Sequence, residues 1–160
     1  MNVTRHGLAT AFAAAGLLCV VQVAGAAEWT VGQRVPVDTL TQSDWPKLTV
    51  GLETLRVLPS IEARSASVVR PRTLVVNALG VVGESRHSVL VARASADEVR
   101  SAVAGSGLQP LVADYYEHTR ISLLRFARFE DAVRARDRLA EALGHAAVTV
   151  PVRYAERVAR

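Results

Sequence analysis

Cysteine is all but missing from this 160-residue chain, in which Cys19 is the only thiol. One cysteine closes no intramolecular disulfide and offers no thiolate set for a metal. Because Cys19 falls in an apolar run expected to be removed, the mature chain is expected to carry no thiol chemistry at all. Lysine is just as scarce: Lys47 stands alone, and the remaining fixed positive charge is arginine. Aromatic residues make up only 5% of the chain and the net charge is +4. A nucleic-acid reader shows a denser basic face with interleaved aromatics, so no nucleic-acid partner is expected. Internal repeats and low-complexity stretches are likewise absent beyond the N-terminus.

Catalytic signatures are missing too. His87, His118 and His145 are not spaced as helical metal ligands, and no HExxH pair occurs. His118 follows Glu117 in an expected turn, where a solvated ring is the ordinary outcome, and His145 follows a helix-ending Gly144, where it suits a C-terminal cap. Gly105-Ser106-Gly107 lacks the G-x-S-x-G form of a nucleophile elbow, and no glycine loop would cradle a phosphate. The pairs Asp97-Glu98 and Glu130-Asp131 sit at expected helix starts, where acidic residues are commonplace. Neither an enzyme activity nor a cofactor is therefore expected.

What the chain does have begins at the N-terminus. Arg5 precedes an apolar run from Leu8 to Val23, which ends in Ala24-Gly25-Ala26-Ala27. That length and those small residues fit a cleavable secretory signal, residues 1–26, with the cut after Ala26 or Ala27. An uncleaved anchor is the alternative, although no charged stop-transfer cluster follows. Leu18 directly before Cys19 argues against lipid attachment. A periplasmic or extracellular protein with no membrane contact after cleavage is the expectation.

From residue 87 the pattern can be followed element by element. His87 to Ala92 is a short β-branched run suited to a strand. Ser95-Ala96-Asp97-Glu98 has the form of a capping box, and Val99, Ala102 and Val103 line one face of the helix that follows. Gly105 and Gly107 end it. Leu108 to Tyr116 and Arg120 to Phe126 flank the polar corner Glu117-His118-Thr119 as a hairpin. A second helix opens at Glu130 and Asp131 and runs to Gly144, with Ala132, Ala135, Leu139 and Ala142 along one stripe. Ala147 to Tyr154 alternates like a strand, and Pro151 assigns it to an edge. The order is β-α-β-β-α-β, an α+β, ferredoxin-like arrangement with a four-stranded antiparallel sheet and two helices on one face.

Residues 27–86 read as an N-terminal extension that adds a helix and a strand to this core, residues 87–160. Trp29 to Val35 is expected to be extended. Pro46 with Leu48, Leu52 and Leu55 has helical spacing before Pro59. After a polar patch from Glu62 to Arg72, Leu74 to Val82 reads as an apolar strand leading through Gly83-Glu84-Ser85-Arg86 into the first strand of the core, a hairpin that adds a fifth strand.

The chain then runs past its last strand as Ala155-Glu156-Arg157-Val158-Ala159-Arg160. A frayed terminus is one reading. The other is a substrate-like peptide that pairs through its backbone in a partner's groove, with Tyr154, Ala155, Glu156, Arg157, Val158, Ala159 and Arg160 as partner-binding residues and the arginines suited to an acidic pocket.

The βαββαβ core from Ser88 to Tyr154 with a projecting tail resembles the propeptides of subtilisin-family serine proteases. A separate chain with its own signal and an extension looks like the external chaperones of kexin-like subtilases, the Aeromonas serine protease chaperone type. The stretch from Val75 to Arg86 is similar to the extension-to-core junction of that group. The resemblance implies that the sheet face packs on a subtilisin-family protease and assists its folding. The tail would lie product-like in the cleft, with Arg160 filling the pocket. A second resemblance, carried by Arg120 to Phe126 with Ala132 and Leu139, is to SPOR-type peptidoglycan-binding domains. That family's glycine-proline pair is replaced here by Leu124-Arg125, and its glutamine is absent at Leu90. An envelope interaction module without a protease partner is the third reading.

Overall fold

The computed structural model describes residues 29–59, 72–144 and 146–154. The elements are α1 (Val37–Gln42), β1 (Lys47–Val50), β2 (Glu53–Val57), β3 (Thr73–Val76), β4 (Val82–Ser85), β5 (Ser88–Ala92), α2 (Ala96–Gly105), β6 (Val112–Tyr116), β7 (Ile121–Arg125), α3 (Phe129–Ala142), β8 (Ala147–Thr149) and β9 (Val152–Arg153). The chain is α+β with two antiparallel sheets, ordered β1-β2-β3-β4-β9 and β6-β7-β5-β8. The expected signal at 1–26, the tail at 155–160, His145 and most of the Glu62 to Arg72 patch lie outside the described residues.

In the second half, local signals became local structure. Ser95 caps α2: its Oγ accepts from Glu98 N at 3.3 Å, and Glu98 Oε2 accepts from Ser95 N at 2.7 Å. Gly107, at φ +63, follows the end of that helix in a conformation that favours glycine. A single 3-10 turn, Glu117–Thr119, joins β6 to β7. The strand expected from Leu108 is shorter, because the stretch through Pro110 precedes the ladder, which begins at Val112.

Both longer helices cover one face of the four-stranded sheet. Val89, Val91 and Leu124 from the sheet share a buried cluster with Val99 of α2 and with Phe129, Ala132, Ala135 and Leu139 of α3. Each of the valine, leucine and phenylalanine side chains, once fully buried, contributes about 1.5–3 kcal/mol of stability. Leu55 and Val75 of the other sheet belong to the same cluster, with Leu48, Val50 and Val57 packed against it. The extension and the core are thus joined by shared packing. On the far face of the five-stranded sheet a smaller cluster holds Val35, Leu58, Val76 and Val82, with Trp29 and Trp45 edge to face at 6.1 Å.

The extension departs from the sequence expectation. Instead of a helix through Leu48 and Leu55, β1 and β2 form a hairpin around Gly51 at φ +65. Leu48, Val50, Leu55 and Val57 alternate inward, whereas Leu52, the residue that completed the helical spacing, is fully exposed in the turn. Gly51 has a second reason to be glycine: a Cβ there would lie 3.0 Å from the Arg136 guanidinium of α3. The helix lies earlier, with Pro36 rather than Pro46 at its start. Leu74 to Val82 is likewise not one strand. Asn77 Oδ1 accepts from Leu79 N at 3.1 Å and Val81 N at 2.9 Å, and Gly80 takes φ +76, so the chain reverses into β4. The extension therefore supplies a helix and four strands of a separate sheet, not a fifth strand for the core sheet.

The chain passes between the sheets twice. The first passage, Arg86-His87, uses a left-handed His87 at φ 53. The second is at Val150-Pro151, where the expected single edge strand divides. β8 pairs with β5 in one sheet, and β9 pairs with β4 in the other. Each half is at a sheet edge. Pro151 accounts for the division, since it lacks the N–H that a continuous ladder needs.

Candidate interaction surface

Among the described residues no group of three histidine, cysteine, aspartate or glutamate side chains could hold a metal. His118 is exposed in its turn. Asp97 pairs with Arg100 at 2.7 Å, Asp131 pairs with Arg134, and Arg128 reaches Glu130 at 3.4 Å, so these carboxylates form ordinary helix-end ion pairs.

His87 is the exception to that exposed pattern, for it is only 5% exposed. Its Nδ1 lies 3.0 Å from the Ala127 carbonyl and its Nε2 lies 2.7 Å from Thr73 Oγ1. A carbonyl can only accept, so Nδ1 carries the proton, and in the neutral ring Nε2 accepts from the Thr73 hydroxyl. Burial lowers its pKa below the ordinary 6.5, against smaller opposing effects of the Ala127 bond and of Glu130 and Asp131. Both nitrogens are engaged within the fold, and the ring stands 6.4 Å from that of Phe129. This is a structural histidine that fixes the first passage between the sheets.

The feature with chemical consequence is the outer face of the four-stranded sheet. Since Val89, Val91, Leu124, Ala113 and Tyr115 point to the helices, their alternates point away. Register aligns Tyr116, Ile121, Ala92 and Ala147 in one row, and Asp114, Leu123, Leu90 and Thr149 in the next. A third row, Val112, Arg125 and Ser88, ends at a buried serine. Leu90, Ile121 and Leu123 are half-buried by their neighbours in the sheet and belong to neither buried cluster. Thus an apolar stripe crosses a face that no described element covers.

Charge is confined to the margins. Asp114 and Arg125 pair across β6 and β7 at 3.8 Å, each partly exposed. At the opposite end, Arg93 and Arg120 follow Ala92 and precede Ile121. Both are left-handed, at φ 70 and φ 53, and Arg93 N–H donates to the Arg120 carbonyl at 2.9 Å. The left-handed conformation costs a non-glycine residue about 1–2 kcal/mol, which makes two adjacent instances notable. Both guanidinium side chains are on exposed residues with no ion-pair partner among the described residues.

The proposed tail residues divide. Tyr154 is committed to the protein's own fold: its hydroxyl donates to Glu53 Oε1 at 2.8 Å, and its ring lies where a Cβ on Gly83 would come within 2.8 Å. Ala155, Glu156, Arg157, Val158, Ala159 and Arg160 lie outside the described residues. Just before Tyr154, Arg153 reaches Glu84 at 3.5 Å. Glu84 is nearly buried and also faces Arg86 at 3.2 Å and Arg72 at 3.7 Å. Sequence reasoning gave Glu53 and Glu84 no role, and placed His87 in the first core strand without a partner. Apart from the Glu84–Arg86 pair, their partners come from distant parts of the chain. No protein-family model, curated protein or solved structure matches this chain.

Proposed function

We propose that this protein is a non-catalytic, exported protein-binding module that docks through the open face of its four-stranded sheet. Its partner is a subtilisin-family serine protease, which it helps to fold and holds inhibited. The observation that carries the reading is the apolar stripe Leu90, Ile121 and Leu123, which no described element covers, on a sheet whose other face packs against the helices. A single-layer apolar face of this kind is a docking feature in soluble proteins. The strand order β6-β7-β5-β8 with two helices on one side is the order that a ferredoxin-like, propeptide-type core requires, and so supports the resemblance drawn from the sequence. Arg93 and Arg120 at one margin suit a partner surface bearing carboxylates.

The C-terminal segment contributes from a fixed point. Glu53 and Glu84 hold Tyr154 and Arg153, so residues 155–160 leave from a defined position in the five-stranded sheet. Their proposed role is to lie in the protease cleft, with Arg160 in its specificity pocket. Binding only the folded protease would stabilise it by mass action, so one interface would give both chaperoning and inhibition.

The test is co-expression with a secreted subtilase encoded beside this gene. Soluble active protease should rise when the protein is present, and inhibition should be lost when residues 155–160 are deleted. A protease that folds equally well alone would remove the chaperone role, and sedimentation of the protein with purified peptidoglycan would favour glycan binding instead.

A further inference from the structure

The free edge of the same sheet carries an inference that needs no protease. Six large apolar side chains are exposed among the described residues. Three of them, Val37, Leu52 and Leu79, are isolated at a helix start or in turns. The other three, Leu111, Val112 and Tyr116, are 64%, 42% and 47% exposed; Leu111 immediately precedes β6, and Val112 and Tyr116 are its two ends. Among the described residues β6 is an edge strand that pairs with β7 alone, which leaves one side of its backbone without a described ladder. Edge strands are ordinarily guarded by lysine, proline, a bulge or extreme shortness. The other edges have such guards: Lys47 begins β1, Pro151 follows β8 within two residues, and β9 is two residues long. Pro110 stops short of β6, and its five paired residues contain no guard except Asp114, whose charge is already balanced by Arg125.

We infer that β6 pairs antiparallel with β6 of a second copy of this chain, forming a two-fold dimer with one continuous eight-stranded sheet. The occupant is argued from self-complementarity. A two-fold axis through Asp114 brings all five residues into register: Val112 meets the second copy's Tyr116, Ala113 meets its Tyr115, and both pairs occur twice. Apolar side chains then face apolar side chains on the open face, where cross-strand aromatic and β-branched pairs are favourable. The two Asp114 carboxylates meet at the axis, each flanked by its own Arg125, so the centre is neutral. Any other in-face register shortens the overlap. The dimer would double the open face into one surface.

The test is sedimentation equilibrium of the purified protein at neutral pH, with amide hydrogen exchange on the same sample. The expected result is a species of twice the chain mass with residues 112–116 protected from exchange. In the double variant Val112→Lys, Tyr116→Lys the dimer should weaken by at least about tenfold, with an unchanged circular dichroism spectrum because both positions are exposed. Asp114→Asn, which removes the like charges at the axis, should keep or tighten it. A monomer at all concentrations, or a dimer whose β6 amides exchange freely, would overturn the inference. Neither outcome touches protease binding, which is read in a separate assay on Leu90 and Leu123.

Discussion

Tyr154 donates its hydroxyl proton to Glu53 at 2.8 Å, across 101 residues of sequence, and so ties the last described residue to the hairpin of β1 and β2. Burial, and then the Glu53 carboxylate, raise the phenol pKa well above its ordinary 10.0. The neutral phenol is the form that the fold prefers. Its contribution is therefore full below pH 10 and is lost as pH rises from there toward the higher folded value. Spectrophotometric titration of the folded protein should show a late phenol ionisation, well above pH 10, that belongs to Tyr154. Tyr154→Phe should remove that late step and lower stability by about 0.5–1.5 kcal/mol, measured by urea denaturation.

Gly83 is where Tyr154 rests. A Cβ at this position would stand 2.6 Å from Val152 Cγ1 and 2.8 Å from the Tyr154 ring. Gly83→Ala should therefore displace β9 at a cost of about 1–3 kcal/mol, and limited proteolysis should cut the C-terminal segment faster than in the parent protein.

His87 gives the fold an acid-side weakness. Its folded pKa lies below 6.5, chiefly through burial, so the unfolded chain binds a proton more readily. Stability attached to this residue is present above pH 6.5 and declines as pH falls from 6.5 toward the folded value, after which the loss is complete. His87→Asn keeps a residue that tolerates the left-handed backbone but does not titrate. Urea denaturation at pH 7.5 and pH 5 should show a smaller difference for this variant than for the parent protein.

Glu84 serves three arginines at once. Replacing it by glutamine removes the one anion that Arg72, Arg86 and Arg153 share, whereas replacing Arg153 by alanine leaves the carboxylate two partners. Thermal denaturation should show the larger loss for Glu84→Gln, about 1–3 kcal/mol, because the carboxylate is the buried member and the arginines are solvated.

Legibility in the sequence followed locality. The capping box at Ser95 and Glu98, the glycines that close α2, the β-branched run of β5 and the polar corner between β6 and β7 are instructions that neighbouring residues complete, and each became the expected element. The hairpin of β1 and β2 was hidden because Leu48, Leu52 and Leu55 also fit a helix. Only packing reveals that Leu52 is in solvent while Val50 is inside. The joining of β9 to β4 depends on where Pro151 lands relative to a strand more than sixty residues earlier, and no local pattern encodes that. The outer face was readable only after register had aligned Leu90, Ile121 and Leu123. Tyr154, read from sequence as the end of the last strand and as a partner-binding residue, donates to Glu53, which lies in the hairpin that the sequence concealed.

Titration calorimetry of the protein against a purified subtilisin-family protease of the proposed kind, with its catalytic serine replaced to prevent cleavage, tests the proposed docking face most directly. The parent protein should bind. Leu90→Asp, Leu123→Asp should bind at least roughly 30-fold more weakly while keeping a cooperative unfolding transition. Equal affinity of this folded variant would contradict the open face as the docking surface.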